Sequence, residues 1–309
     1  MSKKQQFVIE VRDLFKSYGP IKAVDGISFQ VEKGEIFGML GPNGAGKTTT
    51  VEIIEGLRKP DSGRVDVLGM DALKDVRSVK EHIGVQLQIP ALFPTLNVQE
   101  IVSFFGGIYK TRVSSSEVIQ MVSLEESSKV LVKNLSGGQQ QRLSVALAFV
   151  NDPDIAFLDE PTTGLDPQAR RALWDVIEGF RSRGKTIFLT THYMDEAERL
   201  CDRVAVMDHG NIIALDSPSH MIEHHFRESA IQFRISNSPG SKVLSEIDGV
   251  SNLVSDEDEI TLYTDNVPVT ISGLLALASS RSSQLSDLFV RQATLEDVFL
   301  KLTGKRIRD

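Results

Sequence analysis

The sequence has a single cysteine, Cys201, among 309 residues, which excludes an intrachain disulfide framework and suits a reducing compartment. It has no apolar run of the ~18 residues needed to cross a bilayer, and its opening, MSKKQQFVIEVRD, carries no apolar signal core. The expectation is a chain that is neither secreted nor membrane-spanning. A basic excess is also missing: 34 Lys and Arg against 42 Asp and Glu leave a net charge of −8. General duplex-DNA binders use surplus cations to displace counterions from phosphates, so no nucleic-acid partner is expected. No repeat at a fixed period is evident, which sets aside a solenoid.

What is present is the composition of a soluble globular protein, 41% hydrophobic and 25% charged, in a chain long enough for two ordinary domains. Through about residue 226, short β-rich runs alternate with helical patterns, as in an α/β domain. FVIEV (7–11), ISFQV (27–31) and EIFGML (35–40) read as strands. IAFLD (155–159), TIFLT (186–190) and RVAVM (203–207) are near-continuous apolar runs, expected of strands covered on both faces of a parallel sheet. Pro167 suits the first turn of a helix running to Arg181. Between about Gln88 and Leu135 the pattern turns mostly helical, so a helical subdomain at about 88–150 is read as an insertion. Residues 227–309 form a second unit with the order β-α-β-β-α-β, the split-βαβ, ferredoxin-like arrangement. Its last helix starts from Thr294.

GPNGAGKTTT, Gly41 to Thr50, fits G-x-x-x-x-G-K-[ST] and lies between a strand and a helix, where a phosphate-binding loop must lie. Along Gly41, Pro42, Asn43, Gly44, Ala45 and Gly46 the glycines let the backbone wrap closely enough for its N–H groups to point at phosphate oxygens, and the helix start adds its positive dipole end. Lys47 supplies a cation for the β- and γ-phosphates and the Thr48 hydroxyl a ligand for Mg²⁺. In IAFLDEP, an apolar strand ends in two acids, placing Asp159 to hold Mg²⁺ and Glu160 to orient an attacking water. LSGGQQQR adds a second anion site: Ser136 is a good helix N-cap, and Gly137 and Gly138 leave no side chain in a phosphate's way.

From about residue 7 to 226 the chain resembles the ATP-binding cassette (ABC) ATPases. Gly41 to Thr49 looks like the family's Walker A motif, Ile155 to Glu160 its Walker B, and Leu135 to Gln139, including Gln139, its signature. The resemblance implies further roles. Tyr18 matches the aromatic that stacks on adenine. Gln88 matches the glutamine touching Mg²⁺ and the lytic water, with Gln86 a rival for that alignment. Asp166, in TTGLDP, resembles the D-loop acid, and His192 the switch histidine at the γ-phosphate. It also implies an ATP- and Mg²⁺-dependent ATPase whose sites form between two chains, each ATP lying between one phosphate loop and the other chain's Ser136 to Gly138. With one set of motifs, the chain must pair with itself or a paralogue.

The tail RQATLEDVFLKLTGK, Arg291 to Lys305, and the compact insertion resemble type-2 ABC exporter subunits of the drug, antibiotic, polysaccharide and ion efflux branch. That implies a separate transmembrane permease partner, received around Leu92 to Ile108, and a place at the cytoplasmic face of the membrane. The other readings are a non-transport ABC clamp, a regulatory ATP-gated module, and an importer subunit. His220, His224 and His225 lack a further ligand for a metal site. Cys201 and Trp174 read as packing residues, at least one of Phe104 and Phe105 as core, and Asp256 to Glu259 as a solvated turn.

Overall fold

The computed structural model describes residues 7–88, 92–226, 229–235, 239–256, 259–281 and 283–304. The chain divides into two compact units, one up to Pro218 and one from Ser219 onward. The second therefore takes in most of a helix that the sequence reading placed with the first.

In the first unit the elements run β1 (Phe7–Tyr18), β2 (Ile21–Glu32), β3 (Ile36–Leu40), α1 (Lys47–Ile54), β4 (Ser62–Val67), β5 (Met70–Asp71), α2 (Val76–His82) and β6 (Ile83–Gln86). Then come α3 (Val98–Gly106), α4 (Ser115–Met121), α5 (Gly137–Leu147), β7 (Ile155–Asp159), α6 (Pro167–Ser182), β8 (Thr186–Thr191), α7 (Met194–Leu200), β9 (Arg203–Asp208) and β10 (Asn211–Asp216). Six strands form the central sheet in the order β10-β9-β3-β8-β7-β6. Its pairings are parallel except β10 with β9. Every residue of β3 and β8 is buried, which is why those strands read as unbroken apolar runs rather than as alternations. A second sheet, β2-β1-β4-β5, is antiparallel and packs into the same core. Phe37 holds the two together: its ring stacks on Phe29 at 5.4 Å and meets Phe188 at 5.3 Å. Phe188 in turn meets Phe157 at 5.6 Å.

The insertion folds as α3, α4 and α5. Asn97 and Glu100 close a capping box on α3, and Ser136 and Gln139 close one on α5. The apolar run after α5 (Ala148 to Val150) turns off the helix axis but stays buried. Phe149 stacks on Phe180 of α6. Phe104 is exposed and Phe105 half-buried, both in an aromatic cluster with Phe93.

The second unit begins within α8 (Pro218–His225) and continues β11 (Ser229–Ile235), α9 (Ser241–Ser245), β12 (Val250–Asp256), β13 (Glu259–Thr264), α10 (Val267–Ser280), β14 (Leu285–Gln292) and α11 (Leu295–Thr303). Its sheet order is β12-β13-β11-β14, with every neighbour antiparallel. That is the split-βαβ arrangement. Ile231, Phe233, Leu244, Ile260, Leu262 and Leu274 form its core. The Tyr263 hydroxyl donates to Asp297 at 2.6 Å, and Arg291 forms an ion pair with the same carboxylate. Residues 257 and 258 of the acidic turn, and Lys305 of the tail, lie outside the described residues.

Phe188→Ala is expected to cost about 3–5 kcal/mol, since it removes a fully buried ring at the junction of the two sheets. Urea unfolding checks it; a cost below about 1 kcal/mol would show the aromatic junction to be dispensable.

Candidate functional site

Strand register collects the site. Leu40 of β3 lies beside Thr191 of β8, Thr190 beside Asp159 of β7, and Leu158 beside Gln86 of β6. The chain leaves these strands at one edge as Gly41, His192, Glu160 and, two residues past β6, Gln88. Ligands of open α/β sheets bind at this carboxyl edge.

The phosphate loop is built so that its amides face outward. Among the described residues, the N–H groups of Asn43, Gly44, Gly46, Lys47, Thr48 and Thr49 donate to no protein acceptor. Unsatisfied donors at a helix start fit an anion. Two glycines are required by space. A Cβ on Gly41 would stand 2.2 Å from the Met207 carbonyl oxygen, and one on Gly46 2.0 Å from that of Ala23. Gly46 also has φ of 108°. Lys47 is buried; its Nζ donates to the Gly41 carbonyl at 2.7 Å and the Pro42 carbonyl at 3.2 Å, and lies 3.6 Å from Glu160 Oε1. Thr48 is exposed on the first turn of α1.

Four side chains converge on Glu160. Besides Lys47, the Gln88 amide donates to Oε2 at 3.1 Å, the Thr163 hydroxyl donates to the same oxygen at 3.2 Å, and His192 Nδ1 lies 3.2 Å from it. Burial pushes the Glu160 carboxyl up, but Lys47 and then His192 outweigh it and hold the group below its ordinary range. Burial lowers the Lys47 amine in spite of Glu160 and Asp159. Glu160 has φ of 47°, in the left-handed region. A non-glycine residue there is strained and persists where surrounding contacts over-determine it. Its N–H is held by the Thr190 carbonyl at 3.1 Å and the Thr190 hydroxyl at 3.0 Å. That hydroxyl also donates to Asp159, whose carboxyl is raised by burial. Asp159, Thr48 and the Gln88 amide offer only hard oxygen ligands, the donor set that Mg²⁺ takes.

The second candidate anion site, read from the sequence, lies on the insertion. The Ser136 hydroxyl accepts from the Gln139 N–H at 3.3 Å, and the Gln139 side chain accepts from the Ser136 N–H at 2.9 Å. A Cβ on Gly137 would meet open space, and one on Gly138 would stand 3.0 Å from Ala169 Cβ. Ala169 belongs to the first turn of α6, which Asp166 caps by accepting from the Gln168 and Ala169 N–H groups, both at 2.9 Å. The Ser136–Gln139 turn and the capped start of α6 are thus neighbours. Tyr18 ends β1, is exposed, and lies beneath Lys16 and Arg58 at 5.7 and 5.4 Å.

Sequence reasoning missed two features. Trp174 packs, as expected, but its indole also donates to the fully buried Glu196 at 3.1 Å. The other is a groove of about 400 Å³ between α1, β6 and the insertion, with Glu55 and Gln86 among its lining. Gln86 thus faces away from Glu160, while Gln88 reaches it. The signal for Glu55 was an acid within the apolar helix end VEIIEGL. Among the described residues no group of three or more His, Cys, Asp or Glu could hold a metal; the His220 ring meets that of His224, and His224 that of His225. Cys201 is buried and pressed against Gly38.

Fold and site define a phosphate-loop nucleotide-binding domain with a helical insertion. The ABC transporter family profile matches residues 24–163. The chain is 36% identical to the Nod factor export ATP-binding protein I of Ralstonia nicotianae, over 98% of this chain and 95% of that one. It is 34% identical to the linearmycin resistance ATP-binding protein LnrL of Bacillus subtilis, over 98% and 100%. The chain belongs to the ABC transporter family, as an ATP-binding subunit of the type-2-like exporter branch. Among solved structures it is similar to cbiO1 from Clostridium perfringens, part of an ABC transporter complex, with TM-score 0.65 and 28% identity over 72% of this chain and 92% of that one. A dimeric, post-hydrolysis ATP-binding cassette bound to ADP and Pi matches with TM-score 0.61 and 27% identity, over 68% and 98%. The curated relatives extend across the second unit as well.

Glu55 supports a pH prediction. Burial first, then Asp159 and Glu52, raise its carboxyl from the ordinary 4.5 to about 8. The folded state therefore binds the extra proton between those values, and stability falls as pH rises through that window. At 1.36 kcal/mol per unit the burden reaches on the order of 5 kcal/mol. Glu55→Gln is expected to match the parent in thermal stability near pH 5 and to exceed it increasingly toward pH 8.5. A pH-independent difference would contradict the burial of this charge.

Proposed function

We propose that this chain hydrolyses ATP, as ATP + H2O to ADP + phosphate, to power export through a separate transmembrane permease. The observation that carries the reading is the convergence of Lys47, Gln88 and His192 on one buried carboxylate beside a cradle of free amides. When the phosphates of ATP enter the loop they take Lys47 as counter-charge, and Glu160 is released to accept a hydrogen bond from the attacking water. The water oxygen bonds to the γ-phosphorus as the bond to the bridging oxygen breaks. Gln88 and His192 position the water and the γ-phosphate. Thr48, Gln88 and Asp159 would hold Mg²⁺, which supplies charge neutralisation on the β- and γ-oxygens. Tyr18 supplies a ring face for adenine.

Each site takes Ser136 to Gly138 from a second chain, either an identical copy or a paralogue. The dimeric cassette among the structural relatives supports that pairing. Leu92, Phe105 and Ile108 line the groove beside β6, which supports the insertion as the surface that receives the permease. No described helix is long and apolar enough to cross a membrane, so the chain would sit at the cytoplasmic face through that partner. Residues 1–226 act as the ATPase domain and 227–309 as an accessory unit. Two relatives of similar identity are named for different compounds, which supports cargo selection by the permease.

Glu160→Gln is expected to bind ATP and accumulate as an ATP-bound dimer, with turnover lowered about 10²–10⁴-fold. Phosphate-release assays check it, and near-parental turnover would remove Glu160 from the chemistry. Lys47→Ala is expected to weaken ATP affinity roughly 10- to 100-fold, the scale of a lost charge-assisted hydrogen bond. Unchanged affinity by calorimetry would count against the phosphate loop.

A further inference from the structure

Two buried side chains, Glu55 and Gln86, line the groove between α1, β6 and the insertion with oxygens that no described residue pairs. Glu55 is 3% exposed, and among the described residues its carboxylate has no hydrogen bond and no ion pair. Gln86 is 2% exposed; its amide nitrogen donates to the Leu87 carbonyl at 2.7 Å, and its Oε1 is buried with no partner. Around them the lining is mostly apolar, from Leu92 and Phe105 to the exposed rim residues Leu87 and Ile108, with Tyr109, Ser144 and Lys80 as its other polar members. The nearby charges do not resolve this. Asp159 and Glu52 repel the Glu55 carboxylate, and Lys80, exposed at the rim, is the weakest influence on it. A buried acceptor left unsatisfied costs free energy; an ionised carboxylate there would cost more, so Glu55, 3% exposed, keeps its proton until a cation reaches it.

We propose that the permease segment docking in this groove inserts a basic side chain onto Glu55, with apolar neighbours of that residue covering Leu87 and Ile108. This rests on the export reading above and goes beyond it, because it fixes the partner's chemistry at one position. Arginine suits the site better than lysine: its planar guanidinium carries five N–H donors, enough for the carboxylate and the Gln86 oxygen together. An uncharged or acidic segment would bury Glu55 further without pairing it, so the groove discriminates by charge as well as by shape.

The test uses the full chain in membranes containing its own permease, with Ile108→p-benzoylphenylalanine as a photo-crosslinker at the rim. The adducts are mapped by mass spectrometry with and without Glu55→Gln. The expected adduct is a cytoplasmic loop of a polytopic membrane protein that contains Arg or Lys. Its yield is expected to fall about tenfold in Glu55→Gln, the scale of one charge-assisted hydrogen bond. ATP hydrolysis by isolated Glu55→Gln should equal the parent's, showing a folded chain. Replacing the mapped basic residue of the loop by Gln, with the parent chain untouched, is expected to give the same loss. An unchanged yield in both variants, or an adduct loop with no basic residue, overturns the proposal and leaves the export reading standing. Adducts to no polytopic membrane protein overturn both.

Discussion

The functional edge of this molecule turns on one buried ion pair, Lys47 with Glu160. Two opposite charges, 3.6 Å apart and each almost wholly removed from water, are tolerated in a protein interior only when each satisfies the other and further polar groups complete the shell. Here the shell is Gly41 and Pro42 carbonyls on the amine, and Gln88, Thr163 and His192 on the carboxylate. The strands supply the scaffold: β3, β8, β7 and β6 end at one edge, and the segments that carry Lys47, His192, Glu160 and Gln88 leave from it. The left-handed backbone of Glu160, anchored by Thr190, fits this picture of a residue held in place by its surroundings.

That arrangement gives a physical account of a switch. A lone positive charge at Lys47 or a lone negative charge at Glu160 would be costly in this setting, so the pair holds itself closed until a stronger anion arrives. In the proposed reaction phosphates would meet Lys47 and amides that donate to no described acceptor. Glu160 would then be left beside Gln88 and His192, in reach of water. Gln88 follows Gln86 by two residues, so the groove of the insertion and the carboxyl edge share one short stretch of chain at the end of β6.

Much of this was legible in the sequence, for reasons that differ by element. β7, β8 and β9 announced themselves because burial on both faces removes polar alternation. α6 was marked by Pro167, and the second unit by a regular order of short strands and helices. The full lengths of β1 and β2 were hidden because their pairing is broken by repeated register shifts, which scramble the period of two. β6, with four residues, is too short to show a period. The glycine-rich loop before α1 and the acid pair Asp159–Glu160 stood out because each motif is contiguous in the chain. The meeting of Lys47, Gln88, Thr163 and His192 on one carboxylate did not, since only the parallel register brings those segments together. Nor could sequence choose between Gln86 and Gln88: the choice follows from β6 ending at Gln86, which leaves that residue buried beside the groove and Gln88 beyond the strand.

The central claim, that Lys47 and Glu160 hold one another before nucleotide binds, is tested most directly by a double-mutant cycle in unfolding free energy. The parent, Lys47→Ala, Glu160→Gln and the double variant are compared without nucleotide. The account predicts a coupling energy of about 1–3 kcal/mol, with the double variant less destabilised than the sum of the single ones. Additivity within about 0.5 kcal/mol would show that the two charges do not depend on each other and would contradict the account.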